Sequence, residues 1–191
     1  MKHLKLKKLV LIGASTGGPG QIKKIITSLP KLSNTSIIIA QHMANGFLES
    51  FVSTLSQNNI NKVEITHNNK NLLANTIYVC EKSMVVQKDI SNFIFKEQEH
   101  KVDSFNPDIN RIFNSFVSLK ELEILGVILT GIGDDGIEAC TKLSNNGARC
   151  ITETAQSAII DGMPSRAREL VPNIRAYTID EIVKIICEFC E

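Results

Sequence analysis

Residues 9–20 read Leu-Val-Leu-Ile-Gly-Ala-Ser-Thr-Gly-Gly-Pro-Gly, and this stretch decides the fold. Four consecutive apolar residues predict a buried strand over 9–12, and the glycines that follow predict a sharp turn before a helix. Such a turn holds Ser15 at the carboxyl end of the strand, which is the edge where open α/β sheets bind their ligands. The stretch therefore predicts both the class of fold and the place of a functional site.

The same order of strand, turn and helix recurs along the chain. Apolar runs without alternation predict further buried strands, as expected for a parallel sheet covered on both faces; they lie over 36–40, 124–130 and 149–152. Apolar residues spaced by three and four predict helices over 21–29, around 46–55, from 107, after 136 and from about 179, and a turn is expected at 162–164. We therefore predict an α/β fold with a doubly wound, mostly parallel sheet flanked by helices.

Residues 61–99 have a different pattern. Their short segments partly alternate apolar and polar residues and are separated by Asn, Lys and Ser turns. Alternation is typical of antiparallel strands that have one face in solvent. An antiparallel hairpin region is therefore expected around 61–99.

The composition excludes several classes of protein. With 191 residues, one domain is the default, and a net charge of +1 without long blocks of like charge gives no electrostatic basis for binding nucleic acid. No apolar run is long enough for direct membrane insertion, and the N-terminal apolar run is too short for a signal peptide, so a cytoplasmic location is expected. Five scattered cysteines and four histidines without ligand spacing predict neither a disulfide framework nor a metal site, and no cofactor is expected.

Three predicted strands end in three different polar groups. Ser15 follows the first strand, His42 follows the second, and Asp134 and Asp135 follow the strand over 124–130. If these strands are parallel neighbours, a hydroxyl, an imidazole and a carboxylate meet at one edge of the sheet. This is the set of nucleophile, base and orienting acid that acyl-transfer hydrolysis needs. Spacing alone does not separate the two aspartates.

Each of these residues also has a structural interpretation. Ser15 and the aspartates could cap the helices that follow them, and His42 could be a polar residue at the rim of the core. A nucleotide-binding loop is disfavoured because the turn lacks both the Gly-Lys-Ser/Thr of a P-loop and the spacing of a dinucleotide fingerprint. The turn matches GxSxG, but in the hydrolases with that elbow the acid precedes the histidine, whereas here His42 precedes the aspartates.

Four motifs together resemble the CheB family of bacterial chemotaxis receptor methylesterases. They are Ile-Gly-Ala-Ser-Thr-Gly-Gly-Pro at 12–19, Gln-His-Met at 41–43 with Gly-Phe at 46–47, Leu-Thr-Gly-Ile-Gly-Asp-Asp-Gly at 129–136, and Gly-Met-Pro at 162–164. They occur in the order that the family has and span nearly the whole chain. The family's members hydrolyse glutamate methyl esters on receptors and also deamidate certain receptor glutamines.

The resemblance implies a role for each motif residue. Ser15 is the expected nucleophile, His42 the general base and acid, and Asp135 the orienting carboxylate. The residues expected to bind the oxyanion or substrate are Thr16, Gly17, Gln41 and Ile132. Ile132 stands where the family more often has Met, and Asn110 stands where it usually has Asp.

The resemblance also implies an organisation and a partner. The family commonly carries an N-terminal receiver domain, but here the first strand begins by residue 9, so residues 1–191 are expected to be a single methylesterase catalytic domain without a receiver domain. The expected partners are the cytoplasmic helices of methylated chemoreceptors; nothing in the sequence specifies an oligomeric state. A catalytically silent receptor-binding module and, less favoured, a nucleotide-binding α/β domain are the alternatives.

Overall fold

Strands and helices alternate along most of the chain. The computed structural model describes residues 5–44, 46–57, 59–90, 92–98 and 106–191. Its elements are β1 (Lys8–Ala14), α1 (Gly18–Thr27), β2 (Thr35–Gln41), α2 (Leu48–Ser56), β3 (Lys62–Ile65), β4 (Thr76–Val79), β5 (Met84–Asp89), β6 (Asn92–Glu97), α3 (Ile109–Asn114), β7 (Glu123–Ile128), α4 (Ile137–Asn145), β8 (Arg149–Glu153), α5 (Gly162–Leu170), β9 (Arg175–Tyr177) and α6 (Ile179–Cys190). None of these helices combines the length and apolar character that crossing a bilayer requires.

Seven strands form one parallel sheet in the order β3-β4-β2-β1-β7-β8-β9. The strand order reverses at β1, since β2 lies on one side of it and β7 on the other. The three strands expected to carry the site are therefore neighbours, and their carboxyl ends share one edge. In open α/β sheets this reversal point is where the crevice for a ligand forms.

Helices cover both faces of the sheet, as predicted for a doubly wound fold. Alternate residues of β1 point to opposite faces, so Leu9 and Leu11 belong to one core and Val10 and Ile12 to the other. The first core is completed by α3, α4, α5 and the β5–β6 hairpin, and the second by α1, α2 and α6.

The expectation for residues 61–99 is correct for only one of its two parts. β5 and β6 form the predicted antiparallel hairpin, which is a separate two-stranded sheet. β3 and β4 instead extend the main sheet with parallel pairing, so antiparallel pairing is wrong for them. In β3, polar and apolar residues alternate because it is an edge strand and is only partly buried. Antiparallel strands with one face in solvent have the same pattern.

Two smaller elements also differ from expectation. The sequence analysis missed β9, whose three residues are too few to show a pattern. Residues 162–164 begin α5 and are not a separate turn, because proline is tolerated in the first turn of a helix. The five cysteines are free thiols, including Cys187 and Cys190 near the end of α6.

The side chain of Ile109 fits between Gly13, near the carboxyl end of β1, and Gly136, which directly precedes α4. A Cβ atom at Gly13 would lie 2.7 Å from Ile109 Cγ2, and a Cβ atom at Gly136 would lie 2.6 Å from the same methyl group. Real Cβ atoms do not approach another carbon so closely. The two glycines therefore let α3 pack directly on this edge of the sheet.

Glu153 ends β8 and is fully buried. Its Oε2 accepts a hydrogen bond of 2.8 Å from the Thr130 N–H, and its Oε1 accepts bonds of 3.0 Å from Gln21 Nε2 and Ser157 Oγ. Burial raises the pKa of Glu153 above its ordinary value, and the negative charge of Asp161 raises it further. The bonds from Thr130 and Ser157 oppose this shift without cancelling it.

We expect Gly136→Ala to destabilise the protein more than Gly147→Ala does. Both glycines have a left-handed backbone, with φ of 90° and 93°, so both alanines carry a conformational cost of about 1–2 kcal/mol. Only Gly136 is packed, since nothing lies within 4 Å of a Cβ at Gly147. Overpacking should therefore lower the free energy of unfolding of Gly136→Ala by about a further 1–3 kcal/mol, measured by urea denaturation. Equal losses in the two variants would contradict the packing role of Ile109.

We also expect Glu153 to make the stability depend on pH. Because its pKa is raised in the folded protein, the folded protein binds this proton more tightly than the unfolded chain does. The contribution is therefore fully present below the ordinary carboxyl pKa and is lost as the pH rises through the folded value. The free energy of unfolding of wild type relative to Glu153→Gln should therefore fall as the pH rises above the ordinary carboxyl value of 4.5 towards neutrality. A difference that stays constant over this range would contradict the shift.

Candidate active site

Ser15 lies at the first position beyond β1, in a turn that the backbone fixes on both sides. Its N–H donates to the Thr130 carbonyl at 3.0 Å, which continues the pairing of β1 with the β7 side of the sheet. Its own carbonyl accepts from the Gly18 N–H at 2.9 Å. Gly17, with φ of 86°, makes the reversal that leads into α1. The side chain is therefore held at the edge of the sheet by main-chain contacts.

Gly131 packs against Ser15, and the Gly-Met-Pro motif packs against Gly131. A Cβ atom at Gly131 would lie 2.6 Å from Ser15 Cβ, so only glycine allows the two loops to approach this closely. Met163 is fully buried beside Gly131, and its N–H donates to the Gly131 carbonyl at 2.8 Å. These contacts explain structurally why two motifs distant in sequence occur together.

His42 follows β2 and meets Asp135, which follows β7. The His42 N–H donates to the Ala14 carbonyl at 2.9 Å, so the histidine backbone extends the β1–β2 pairing. Its ring reaches across the end of β1, and Nε2 lies 2.8 Å from Asp135 Oδ2. The side chains are 11% and 3% exposed, so this contact is largely shielded from water. An imidazole and a carboxylate are thus paired at the edge that carries Ser15.

The start of α3 orients Asp135. The Ile109 N–H donates to Oδ2 at 2.8 Å, and the Asn110 N–H donates to Oδ1 at 2.9 Å. The Asn110 side chain in turn accepts from the Ala139 N–H at 2.9 Å, which links α3 to α4. Asp134 is exposed. The structure therefore distinguishes the two aspartates that spacing alone did not.

Gln41 connects the backbones of Ser15 and His42. It is buried, and its Nε2 donates to the Ser15 carbonyl at 2.8 Å and to the His42 carbonyl at 2.7 Å. A Cβ atom at Gly18 would collide with the Gln41 side chain, so the glycine leaves room for the amide. Gln41 thus lies beneath the site and binds main-chain oxygens.

An open cleft of about 450 Å³ adjoins Ser15 and His42. The turn that carries Ser15, the end of β2 and α2 form it. Its lining residues are Ser15, Thr16, Gly17, Pro19, Gln41, His42, Met43, Ala44, Phe47, Ser50, Phe51 and Thr54. Phe47 is 64% exposed and stands at the α2 side, where the wall combines Phe47 and Phe51 with the polar residues Ser50 and Thr54. Among the described residues, no group of His, Cys, Asp and Glu is placed to hold a metal ion.

The expected binding residues do not all lie in this cleft. Thr16, Gly17 and Gln41 line it, whereas the Ile132 side chain is 63% exposed and lies outside the lining. Ile132 directly follows Gly131, so its backbone remains close to Ser15. The expected role of Ile132 was a backbone N–H, and that role stays a prediction.

The residues that support the site from outside the cleft lining were not predicted from the sequence. The N–H groups of Ile109 and Asn110 orient Asp135, but backbone donors leave no mark on residue type. Glu153 binds the Thr130 N–H, and the Thr130 carbonyl binds the Ser15 N–H; for Glu153 the sequence did contain a signal. Glu153 is a further polar residue at the end of a buried strand, the same pattern that drew attention to Ser15, His42 and the pair Asp134 and Asp135.

Known proteins of one family are similar to this chain in sequence. Residues 10–186 match the family model described as CheB methylesterase. A protein-glutamate methylesterase/protein-glutamine glutaminase of Clostridium acetobutylicum is 31% identical over 182 residues, which cover 93% of this chain and 52% of that protein. The protein of the same name from Bacillus licheniformis is 32% identical over 162 residues, covering 83% of this chain and 45% of that one. The chain therefore spans about half the length of these curated relatives.

The fold also matches a solved structure. The crystal structure of the Thermotoga maritima CheB methylesterase catalytic domain superimposes with a TM-score of 0.87 at 24% sequence identity, and the match covers 95% of this chain and 98% of that one. The family model covers most of the chain, and the matching fold agrees with it. This chain belongs to the CheB methylesterase family.

Proposed function

We propose that this protein is a serine hydrolase that removes methyl groups from glutamate γ-methyl esters on methylated chemoreceptors. The observation that carries the proposal is the 2.8 Å contact between His42 Nε2 and Asp135 Oδ2 at the sheet edge that also holds Ser15. The names of the relatives supply the substrate class, a methyl ester of a protein glutamate or the amide of a protein glutamine. Both reactions are acyl transfers and need the same three groups.

In the proposed first step, the Ser15 hydroxyl oxygen attacks the ester carbonyl carbon and His42 takes the hydroxyl proton. Since Nε2 faces Asp135, the accepting nitrogen is Nδ1. Asp135 keeps the ring in the required tautomer and stabilises the imidazolium, and its own orientation is set by the N–H groups of Ile109 and Asn110. The carbonyl oxygen becomes an oxyanion.

Backbone N–H groups near the nucleophile turn stabilise this oxyanion in the proposed mechanism. The first N–H groups of a helix have no intrahelical acceptor, and α1 begins three residues after Ser15. We assign this role to the Thr16–Gly17 turn and to the backbone at Ile132. Gln41 acts differently, because both of its donor bonds go to main-chain oxygens of Ser15 and His42.

In the second half of the reaction, the tetrahedral intermediate expels methoxide, which leaves as methanol with the proton from His42. A water molecule then attacks the acyl-enzyme, His42 takes its proton and returns it to Ser15, and the product is a glutamate side chain. With a glutamine substrate, ammonia replaces methanol as the leaving group. No step requires a metal or an organic cofactor.

The cleft suits a side chain presented on a protein surface. It is open and borders α2, with Phe47 exposed at its edge. A glutamate methyl ester on a receptor's cytoplasmic helix can enter such a cleft while the helix stays outside. With this partner, the proposed reaction takes place in the cytoplasm. We propose that residues 1–191 act as a single catalytic domain in this reaction.

We expect Ser15→Ala to abolish methanol release from a methylated chemoreceptor preparation. Loss of the nucleophile should lower kcat by at least about 10³-fold, since the remaining groups cannot form the acyl-enzyme. Ser165→Ala, an exposed serine on α5, is the matched control and should keep the wild-type rate.

The same assay distinguishes the alternatives. A receptor-binding module without activity predicts receptor affinity without turnover in wild type, and no labelling of Ser15 by a fluorophosphonate. A nucleotide-binding domain predicts stabilisation by ATP or NAD in a thermal shift assay. Methanol release that persists in Ser15→Ala would overturn the proposed mechanism.

Asp135→Asn and Asp134→Asn form a pair of adjacent substitutions with different expected outcomes. In wild type, the Asp135 carboxylate contacts His42 Nε2 and the N–H groups of Ile109 and Asn110. In Asp135→Asn, the amide NH₂ must face one of these groups in place of an oxygen. His42 is then no longer held in the tautomer that can accept the Ser15 proton, so kcat should fall by about 10³–10⁴-fold. Asp134 is exposed, so its variant should stay within about two-fold of wild type. The reverse order of effects would mean that Asp134 is the acid.

A further inference from the structure

Glu153 is a buried acid that the mechanism above does not use. It is 0% exposed, and three donors converge on its carboxylate, namely the Thr130 N–H, the Gln21 amide and the Ser157 hydroxyl. Ser157 Oγ already accepts from the Ile179 N–H at 2.7 Å, so its hydroxyl hydrogen is available for Glu153. These hydrogen bonds favour the ionised form of the carboxylate and oppose, without cancelling, the rise in its pKa that burial causes.

A buried ionised carboxylate is not the most stabilising choice at such a position. Removing a carboxylate from water costs free energy, and apolar residues of similar volume often give equal or greater stability. The charged groups facing Glu153 do not remove this cost. Asp161 is also negative, and Arg168 pairs with Asp161 at 2.6 Å and donates to the Glu153 main-chain oxygen at 2.8 Å. The carboxylate instead fixes the positions of the three groups that donate to it, on Thr130, Gln21 and Ser157.

Thr130 connects Glu153 to the nucleophile turn by direct bonds. Its N–H is held by Glu153, and its carbonyl accepts the Ser15 N–H at 3.0 Å. Its hydroxyl donates to the Thr16 carbonyl at 2.9 Å and accepts from the Ile160 N–H at 2.8 Å. A shift of Thr130 would therefore move Ser15 and Thr16 together.

Gln21 connects the same carboxylate to the other side of that turn. It lies on α1, which begins directly after the turn, and its amide donates to Glu153 Oε1 at 3.0 Å. The turn that carries Ser15 is thus held between Thr130 and α1, and both are bound to one side chain from β8. No contact of Glu153 itself reaches the cleft lining.

We propose that Glu153 is a positioning residue, which sets the geometry of the Ser15 turn through the Thr130 N–H and the Gln21 amide. This inference rests on the proposed role of Ser15 as nucleophile. Near-attack geometry is sensitive to displacements of about 1 Å, which can cost about 100-fold in rate. A change at Glu153 should therefore alter kcat even at temperatures where the protein is fully folded.

The test compares two replacements of similar length. Glu153→Met leaves the Thr130 N–H without an acceptor, whereas Glu153→Gln keeps one oxygen for it. Glu153→Met should lower kcat by about 10- to 100-fold with the KM for methylated receptor within about two-fold, and should slow fluorophosphonate labelling of Ser15 in parallel. Glu153→Gln should recover most of the kcat and of the labelling rate.

Thr152→Val is the matched control for a loss of stability alone. Thr152 is the buried neighbour of Glu153, and its hydroxyl donates to the Ile128 carbonyl at 2.8 Å. This variant should lose stability and keep kcat. If Glu153→Met does not fold, Glu153→Asp replaces it, because aspartate keeps the charge but is too short to hold the Thr130 N–H in its present place.

The outcomes separate this inference from the proposed function. If wild type releases no methanol from methylated receptor, the proposed function fails. If wild type is active and Glu153→Met, or Glu153→Asp in its place, keeps the wild-type kcat below its melting temperature, the positioning role is wrong. A kcat that falls equally in Thr152→Val would also overturn it, since the effect would then follow stability and not the Thr130 contact.

Discussion

The packing of Ile109 on the ends of β1 and β7 is the constraint on which the site depends. Its side chain fills the space that Gly13 and Gly136 leave, while its N–H binds the Asp135 carboxylate. Ile109 therefore limits how closely α3 approaches the sheet, and its N–H together with that of Asn110 orients the Asp135 carboxylate. His42 meets this carboxylate across the end of β1, which lies between β2 and β7.

Much of this arrangement could be predicted from the sequence because β1, β2 and β7 are short apolar runs that lead into glycine or polar residues. That pattern gave the positions of β1, β2 and β7 and the class of the fold. The choice between Asp134 and Asp135 could not be made in this way. It depends on which carboxylate the start of α3 covers, and α3 comes from a part of the chain far from both.

Other features could not be predicted because a sequence pattern indicates which residues are buried but not which strands pair with each other. β3 alternates as a half-covered edge strand does, and this is indistinguishable from one strand of a hairpin until its partner is known. Thr130 and Glu153 act through backbone atoms and through a carboxylate hidden from the cleft. A residue of this kind is visible in sequence only as an acid at the end of a buried strand.

The spatial order β2-β1-β7 also has a consequence for how such sites are recognised. Serine, histidine and aspartate follow one another along this chain because the chain visits β1, then β2, and returns to β7 after the strands on the β2 side. The chemistry depends on adjacency at the sheet edge, which is independent of the order of visits. A protein that connected the same three strands differently would have another linear motif and an equivalent constellation, so a search by strand ends would find relatives that a search by residue order excludes.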